Sequence, residues 1–284
     1  LLFSPYQLRG VSFRNRIVLS PMQMYLAGDD GIATEWHFQH LAKYAVAGAG
    51  CVFTEVLPPE PRGRNTHWDL GIWDDAQIPA LSRIAAFIEK TGAVPAAQTG
   101  HAGTKAARQR PFDGLQPLGD DDTARGEPPW QPVGPMDEAN VEGYHLPHAL
   151  SPSEIHQLVD DFGQGVRRLG ASGFRFLEVH AAHGYLLHSF YSPISNRRTD
   201  AYGGDRSRRM RFTLEVAESV RANWPDEFPL SFRISSIDAV DGGWDLDDSL
   251  ILVRELKSRG VDIVDCSSRG IGAANSLARL EKEG

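Results

Sequence analysis

The sequence predicts an α/β protein wound around a parallel sheet, on three observations. Six short β-rich runs alternate with stretches of helical periodicity along the chain, the signature of repeated βαβ units. Within those runs Val, Ile, Phe and Ala follow one another almost without polar interruption, as a strand requires when helices cover both its faces. Two long aperiodic stretches follow directly after runs, at the carboxyl ends where α/β barrels carry their chemistry.

The chain opens with two short extended runs around Leu8-Arg9-Gly10, read as a hairpin ahead of a first strand at residues 16–20. Thr34 caps a helix reaching about Gly48, and the second strand spans 51–56. Asp75 opens a helix ending near Thr91, before a third strand at 94–99. Ser151-Pro152-Ser153-Glu154 is a capping box with proline in the first helical position. Ile155, Leu158, Val159 and Phe162 follow it at helical spacing. A fourth strand at 174–179 precedes a helix opened by Asp205, with Met210, Leu214, Ala217 and Val220 on one stripe. The fifth strand is 230–235. Asp245 or Asp247 caps a helix carrying Leu250, Val253 and Leu256, and the sixth strand is 261–267. From His101 to Leu150 and from His180 to Gly204 no periodicity is visible, so both stretches are expected to be long loops.

Acidic residues outnumber basic ones, 37 to 29, for a net charge of -8, so no global positive field draws nucleic acid or anionic lipid. No apolar stretch approaches the roughly 18 residues of a membrane span. Cys51 and Cys266 each lie in an apolar run and read as buried free thiols of a reducing compartment. A cytoplasmic protein is expected, with no nucleic-acid or membrane partner. The chain opens on Leu1 rather than Met, so its start is expected to have been trimmed. There is no Walker loop, no GxGxxG after a strand and no GxSxG elbow, which disfavours nucleoside triphosphates, a dinucleotide fold and an α/β-hydrolase.

The densest chemical constellation is Glu178-Val179-His180-Ala181-Ala182-His183-Gly184-Tyr185, where the fourth strand gives way to a loop. Two imidazoles can donate to a carbonyl or nitro oxygen and a phenol can supply a proton. With His188 nearby, zinc binding is the competing reading, and polar closure of a strand end the plainest one. Gln98-Thr99-Gly100-His101-Ala102-Gly103 closes the third strand, where an amide can pair with a heterocycle edge and the glycines allow close backbone approach, or the stretch is simply a tight turn. Arg233, flanked by apolar residues in the fifth strand, needs an anionic or polar partner, whether a ligand or a buried ion pair. The arginine-rich run from Arg197 to Arg211 is interleaved with Asp200 and Asp205 and reads as a solvated helix start.

In order along the chain, these pieces resemble the Old Yellow Enzyme family of FMN-dependent oxidoreductases. The resemblance is carried by LFSPYQLRGVSFRNRIVLSPM (2–22), QTGHAGTKA (98–106), EVHAAHGYLLHSFYSPISNRRTDAYGG (178–204) and VDIVDCSS (261–268). The His-x-x-His-Gly-Tyr form and Tyr25 are most similar to the bacterial branch of xenobiotic and thermophilic-type ene-reductases. The resemblance implies one FMN-binding (β/α)8 TIM barrel over residues 1–284, preceded by the hairpin and lacking its last two βα units, so that the protein is expected to continue past Gly284.

It also implies roles. Pro21, Met22 and Val56 present backbone groups to the flavin, Gln98 pairs with its pyrimidine edge, and Arg233 lies near N1 and the C2 carbonyl, stabilising the reduced anion. His180 and His183 hold the substrate oxygen, Tyr185 donates the proton and Tyr25 lines the substrate pocket. Gln23 stands where the family usually has Cys or Thr against the flavin, and Thr104 where it has Arg. The implied activity is ping-pong reduction of electron-poor alkenes by NAD(P)H, in a homo-oligomer acting on small molecules. An FMN-dependent demethylase or desaturase and a degenerate flavin binder are the alternatives.

Overall fold

Six parallel strands in the order β10-β9-β8-β5-β4-β3 form a curled sheet in the computed structural model, which describes residues 1–139 and 143–271. The rest of the domain expected over residues 1–284 lies outside the described residues. The strands are β3 (Val18–Leu19), β4 (Cys51–Leu57), β5 (Val94–Thr99), β8 (Phe176–Ala181), β9 (Leu230–Ser235) and β10 (Ile263–Ser267). Ahead of them β1 (Tyr6–Leu8) and β2 (Val11–Phe13) pair antiparallel as the expected hairpin. Its Val11 and Phe13 pack with Cys51, Phe53, Val94, Ala96 and Phe176, so the hairpin seals the amino-terminal end of the sheet's interior.

The helices begin where their caps predict. Thr34 precedes α1 (Glu35–Val46), Asp205 accepts from the Arg208 amide at the start of α6 (Arg206–Asn223), and Asp245, not Asp247, caps α7 (Leu246–Ser258). At α4 (Pro152–Ala171) the Ser151 and Glu154 side chains each accept the other's backbone N–H, an arrangement worth about 1 kcal/mol. Its stripe of Ile155, Leu158, Phe162, Val166 and Leu169 is buried against the sheet and α6. The helix expected from Asp75 starts later: Asp74 caps a 3-10 turn over Asp75–Gln77, and α2 runs over Ile78–Lys90.

Three strands differ from the sequence reading. The first shrinks from 16–20 to Val18–Leu19, because the Arg16 and Ile17 amides are spent on Leu2 and on the Asn15 side chain. The fourth slides from 174–179 to Phe176–Ala181, since the Phe174 amide closes the turn after α4. His180 is thereby a strand residue. The sixth begins at Ile263 rather than residue 261, because the Val261 amide closes the end of α7 on Leu256.

The long loops also hold structure. The first contains α3 (Asp120–Ala124) and a parallel pair of β6 (Val133–Gly134) with β7 (His148–Ala149). The second contains α5 (Leu186–Tyr191), buried on every side and therefore without the one-sided periodicity that reveals longer helices. Cys51 is buried as expected. Cys266 is exposed, because β10 lies at the sheet edge among the described residues.

Candidate active site

Parallel register stacks the interior side chains in rungs, since paired residues point to the same face and the next on that face lies two positions along. One rung runs Val56, Gln98, Glu178, Ser231 across four strands; above it, His180, Arg233 and Asp265 align. An irregularity between Phe53 and Val56 makes this possible: it returns Val56 to the interior and leaves Glu55 beside His37 of α1. Gly100 brings the rungs together, because a Cβ there would sit 2.8 Å from that of His180 and 3.3 Å from Val56.

The histidine pair is wired in series. The Ala182 N–H donates to His180 Nδ1, so the proton of this ring is on Nε2, which faces His183 Nδ1 at 3.1 Å. His183 therefore carries its own proton on Nε2, 2.6 Å from Ser267 Oγ. Burial holds both imidazoles neutral: it pushes His180 well down, and His183, further lowered by Arg233, to about 4. His183 has a left-handed backbone, φ 59°, pinned by its amide donating to Ser235 Oγ and its carbonyl accepting from Lys105 Nζ at 2.6 Å. Gly184 follows at φ 74°, and a Cβ on it would lie 2.1 Å from the Gly270 carbonyl oxygen. His188 does not join the pair. Its Nδ1 accepts the Gly184 amide and its Nε2 faces buried Asp238 at 2.8 Å, so the three imidazoles form no common ligand set. Among the described residues no His, Cys, Asp or Glu cluster is arranged to hold a metal.

Tyr185 stacks on His180 with centroids 4.6 Å apart, its phenol against Asn65 and Arg108. Burial raises the pKa of Tyr185 and Tyr25, the Tyr185 phenol adding to the rise at Tyr25, so both stay protonated. Tyr25 itself adopts φ 58° and meets Phe112 edge-on. The segment that carries it is tied down by the Met24 amide donating to buried Glu55. Pro21 is half-buried, Met22 exposed, and Gln23 buries its Nε2 beside the Asp69 carboxylate, whose ionised form it favours.

Arg233 approaches Asp265 at 3.3 Å, but its buried Nε makes no hydrogen bond. Gln98 gives one N–H to Glu178 and keeps its Oε1. The unpartnered Arg233 Nε and the Gln98 Oε1, on neighbouring rungs of one mouth, fit the polar edge of a flavin, so the residues present suit the FMN that the motifs imply. The sequence reading assigns no role to Lys105, Glu178, Ser235 or Ser267, nor to Arg108, Asn65 and the buried Asp69 carboxylate, where Arg108 donates to Asn65 and Asn65 to Asp69. Lys105 and Glu178 lie within the motif strings, whereas the others carry no local signal and are brought in by the fold.

The model of the NADH:flavin oxidoreductase / NADH oxidase family matches residues 1–281. An NADPH dehydrogenase from Listeria innocua is 37% identical over 271 residues, covering 95% of this chain and 74% of that protein. Among solved structures, an Old Yellow Enzyme homologue from Zymomonas mobilis superimposes with a TM-score of 0.78 at 26% identity, over 93% of this chain and 72% of that one. Morphinone reductase gives 0.76 at 27%, over 93% and 70%. With a family match along almost its whole length, the chain belongs to the NADH:flavin oxidoreductase / NADH oxidase family and is an FMN-dependent NAD(P)H oxidoreductase.

Proposed function

We propose that this chain reduces the activated C=C bond of α,β-unsaturated carbonyl or nitro compounds, alternating with NAD(P)H at one site, within a single FMN-binding domain whose sheet is part of an eight-stranded barrel. The observation that carries the reading is a neutral histidine pair with a protonated tyrosine stacked on it, at the mouth of the sheet beside Arg233. When bound, FMN supplies to the alkene β carbon the hydride that NAD(P)H has delivered to it. Pro21, Met22, Gln23 and Val56 form the wall against the flavin, while Gln98 takes its pyrimidine edge and Arg233 balances charge near N1. His180 and His183 hold the substrate oxygen. An oxygen gaining negative charge is a stronger acceptor than a neutral imidazole or a serine hydroxyl, so it competes for both Nε2 protons. Tyr185 gives its proton to the α carbon, Asn65 and Arg108 keep that phenol oriented, and Tyr25 bounds the pocket.

The nicotinamide preference follows the relatives named NADPH dehydrogenase. The experiment is anaerobic: protein reduced by one equivalent of NADPH is mixed with 2-cyclohexenone. Recovery of oxidised-flavin absorbance together with formation of cyclohexanone is expected. Reduced flavin that persists in the presence of excess enone overturns the reading.

A further inference from the structure

Glu178 is a carboxylate buried in the interior of the sheet and held from both sides. Its Oε1 accepts from Gln98 Nε2 at 2.7 Å and its Oε2 from Ser231 Oγ at 2.9 Å, across three strands in register. It lies one rung below His180 and Arg233. A buried carboxylate is costly, and nothing in substrate polarisation or proton delivery uses this one. What it decides is the orientation of Gln98. The two ends of an amide have the same shape, so a neighbour's chemistry fixes which end points where. An ionised carboxylate only accepts, so Gln98 must turn Nε2 toward it, leaving Oε1 and the second N–H for the mouth. A protonated Glu178 donates instead and is satisfied by the reversed amide.

We propose that Glu178 is a positioning residue for the flavin: it sets the donor–acceptor edge that Gln98 offers, and its protonation reverses that edge. This rests on the FMN role given to Gln98 above. The surroundings put the switch in a useful range. Burial pushes the carboxyl up to about 7, helped by Asp265 on β10 and opposed by Gln98 on β5 and by Ser231 and Arg233 on β9. Cys51 on β4 also faces it, with a thiol that burial keeps uncharged. His180, next along β8 on the same face, is held neutral. Arg233 is thus the permanent cation and Asp265 the neighbouring anion in its surroundings.

The test is FMN release from the flavin-loaded protein, read as recovery of free-flavin fluorescence on dilution between pH 6 and 8.5, for wild type, Glu178→Gln and Ser231→Ala. The FMN phosphate titrates in this window in every variant, so each Kd is divided by that of Glu178→Gln at the same pH. The wild-type ratio is expected to rise about tenfold, the equivalent of about 1.4 kcal/mol, as pH falls through 7. Ser231→Ala should show the same rise with its midpoint moved to higher pH, because the lost hydroxyl no longer favours the ionised form; a purely structural loss would move no midpoint. A constant wild-type ratio, or an unmoved midpoint in Ser231→Ala, overturns the proposal while leaving the FMN reading intact. Wild-type protein that binds no FMN overturns both.

Discussion

One backbone amide sets the polarity of the histidine pair: by donating to His180 Nδ1, Ala182 places both exchangeable ring protons on Nε2 atoms, one aimed at His183 and one at Ser267. Two donors in series at neutral charge are suited to an oxygen whose negative charge appears only during reaction. Replacing His180 and His183 together by Ala is expected to cut cyclic-enone turnover by about 100-fold or more, with flavin retained. Steady-state kinetics beside a visible spectrum checks both halves. Gln23 makes a different case. Its buried Nε2 lies beside the Asp69 carboxylate and favours the ionised form of that buried acid. Gln23→Cys should therefore destabilise the flavin-free protein by about 1 kcal/mol in urea unfolding. An unchanged unfolding free energy would mean that Asn65 and Thr66 hold the Asp69 carboxylate without help from Gln23.

At the scale of elements, α1 presses a buried titratable imidazole against the sheet. His37 Nδ1 accepts the Thr34 amide at 3.0 Å, and its Nε2 lies 3.7 Å from Glu55 Oε2, the oxygen that also accepts the Met24 amide. Burial lowers the His37 pKa from 6.5 to about 4. Between those values the unfolded chain binds a proton that the folded one refuses, so this contribution to stability is present above pH 6.5 and lost as pH falls toward 4. His183 acts in the same direction, while Glu178, raised to about 7, acts in the opposite one between pH 4.5 and 7. His37→Gln keeps an acceptor for Thr34 but does not titrate. Its melting temperature should fall less steeply than wild type from pH 6.5 to 4.5, measured by circular dichroism. Equal slopes would place the acid sensitivity elsewhere.

For the whole molecule, the interior strands and the edge are unequal. β8 is buried throughout and bonded on both sides, whereas β10 is half-buried with β9 as its one neighbour among the described residues. In the 284-residue chain the amides of Ile263–Ser267 should exchange with deuterium at least about tenfold faster than those of Phe176–Ala181. Matching protection would show β10 covered by something beyond the described residues. Along the described chain, no helix is long and apolar enough to cross a membrane.

What the sequence determined by itself is local or ordered along the chain. Ser151 with Glu154, Asp205 and Asp245 mark their helices because a cap and its amide lie within three residues of each other. Apolar runs mark the strands, and four motif strings in order mark the family. The placing of His180, His183 and Tyr185 near one another was equally legible, because they sit within six residues. Only the tertiary structure decided the partners of these groups: Ser267 for His183, Asp238 for His188, Asn65 and Arg108 for Tyr185, Glu178 for Gln98. Those contacts join residues 50 to 120 positions apart or strands related by a stagger, and a two-residue slide of β8 is enough to choose which side chains share a rung. Periodicity reports which face of an element is buried. It carries no information about the register in which separate elements meet, and the chemistry of this site is fixed by that register.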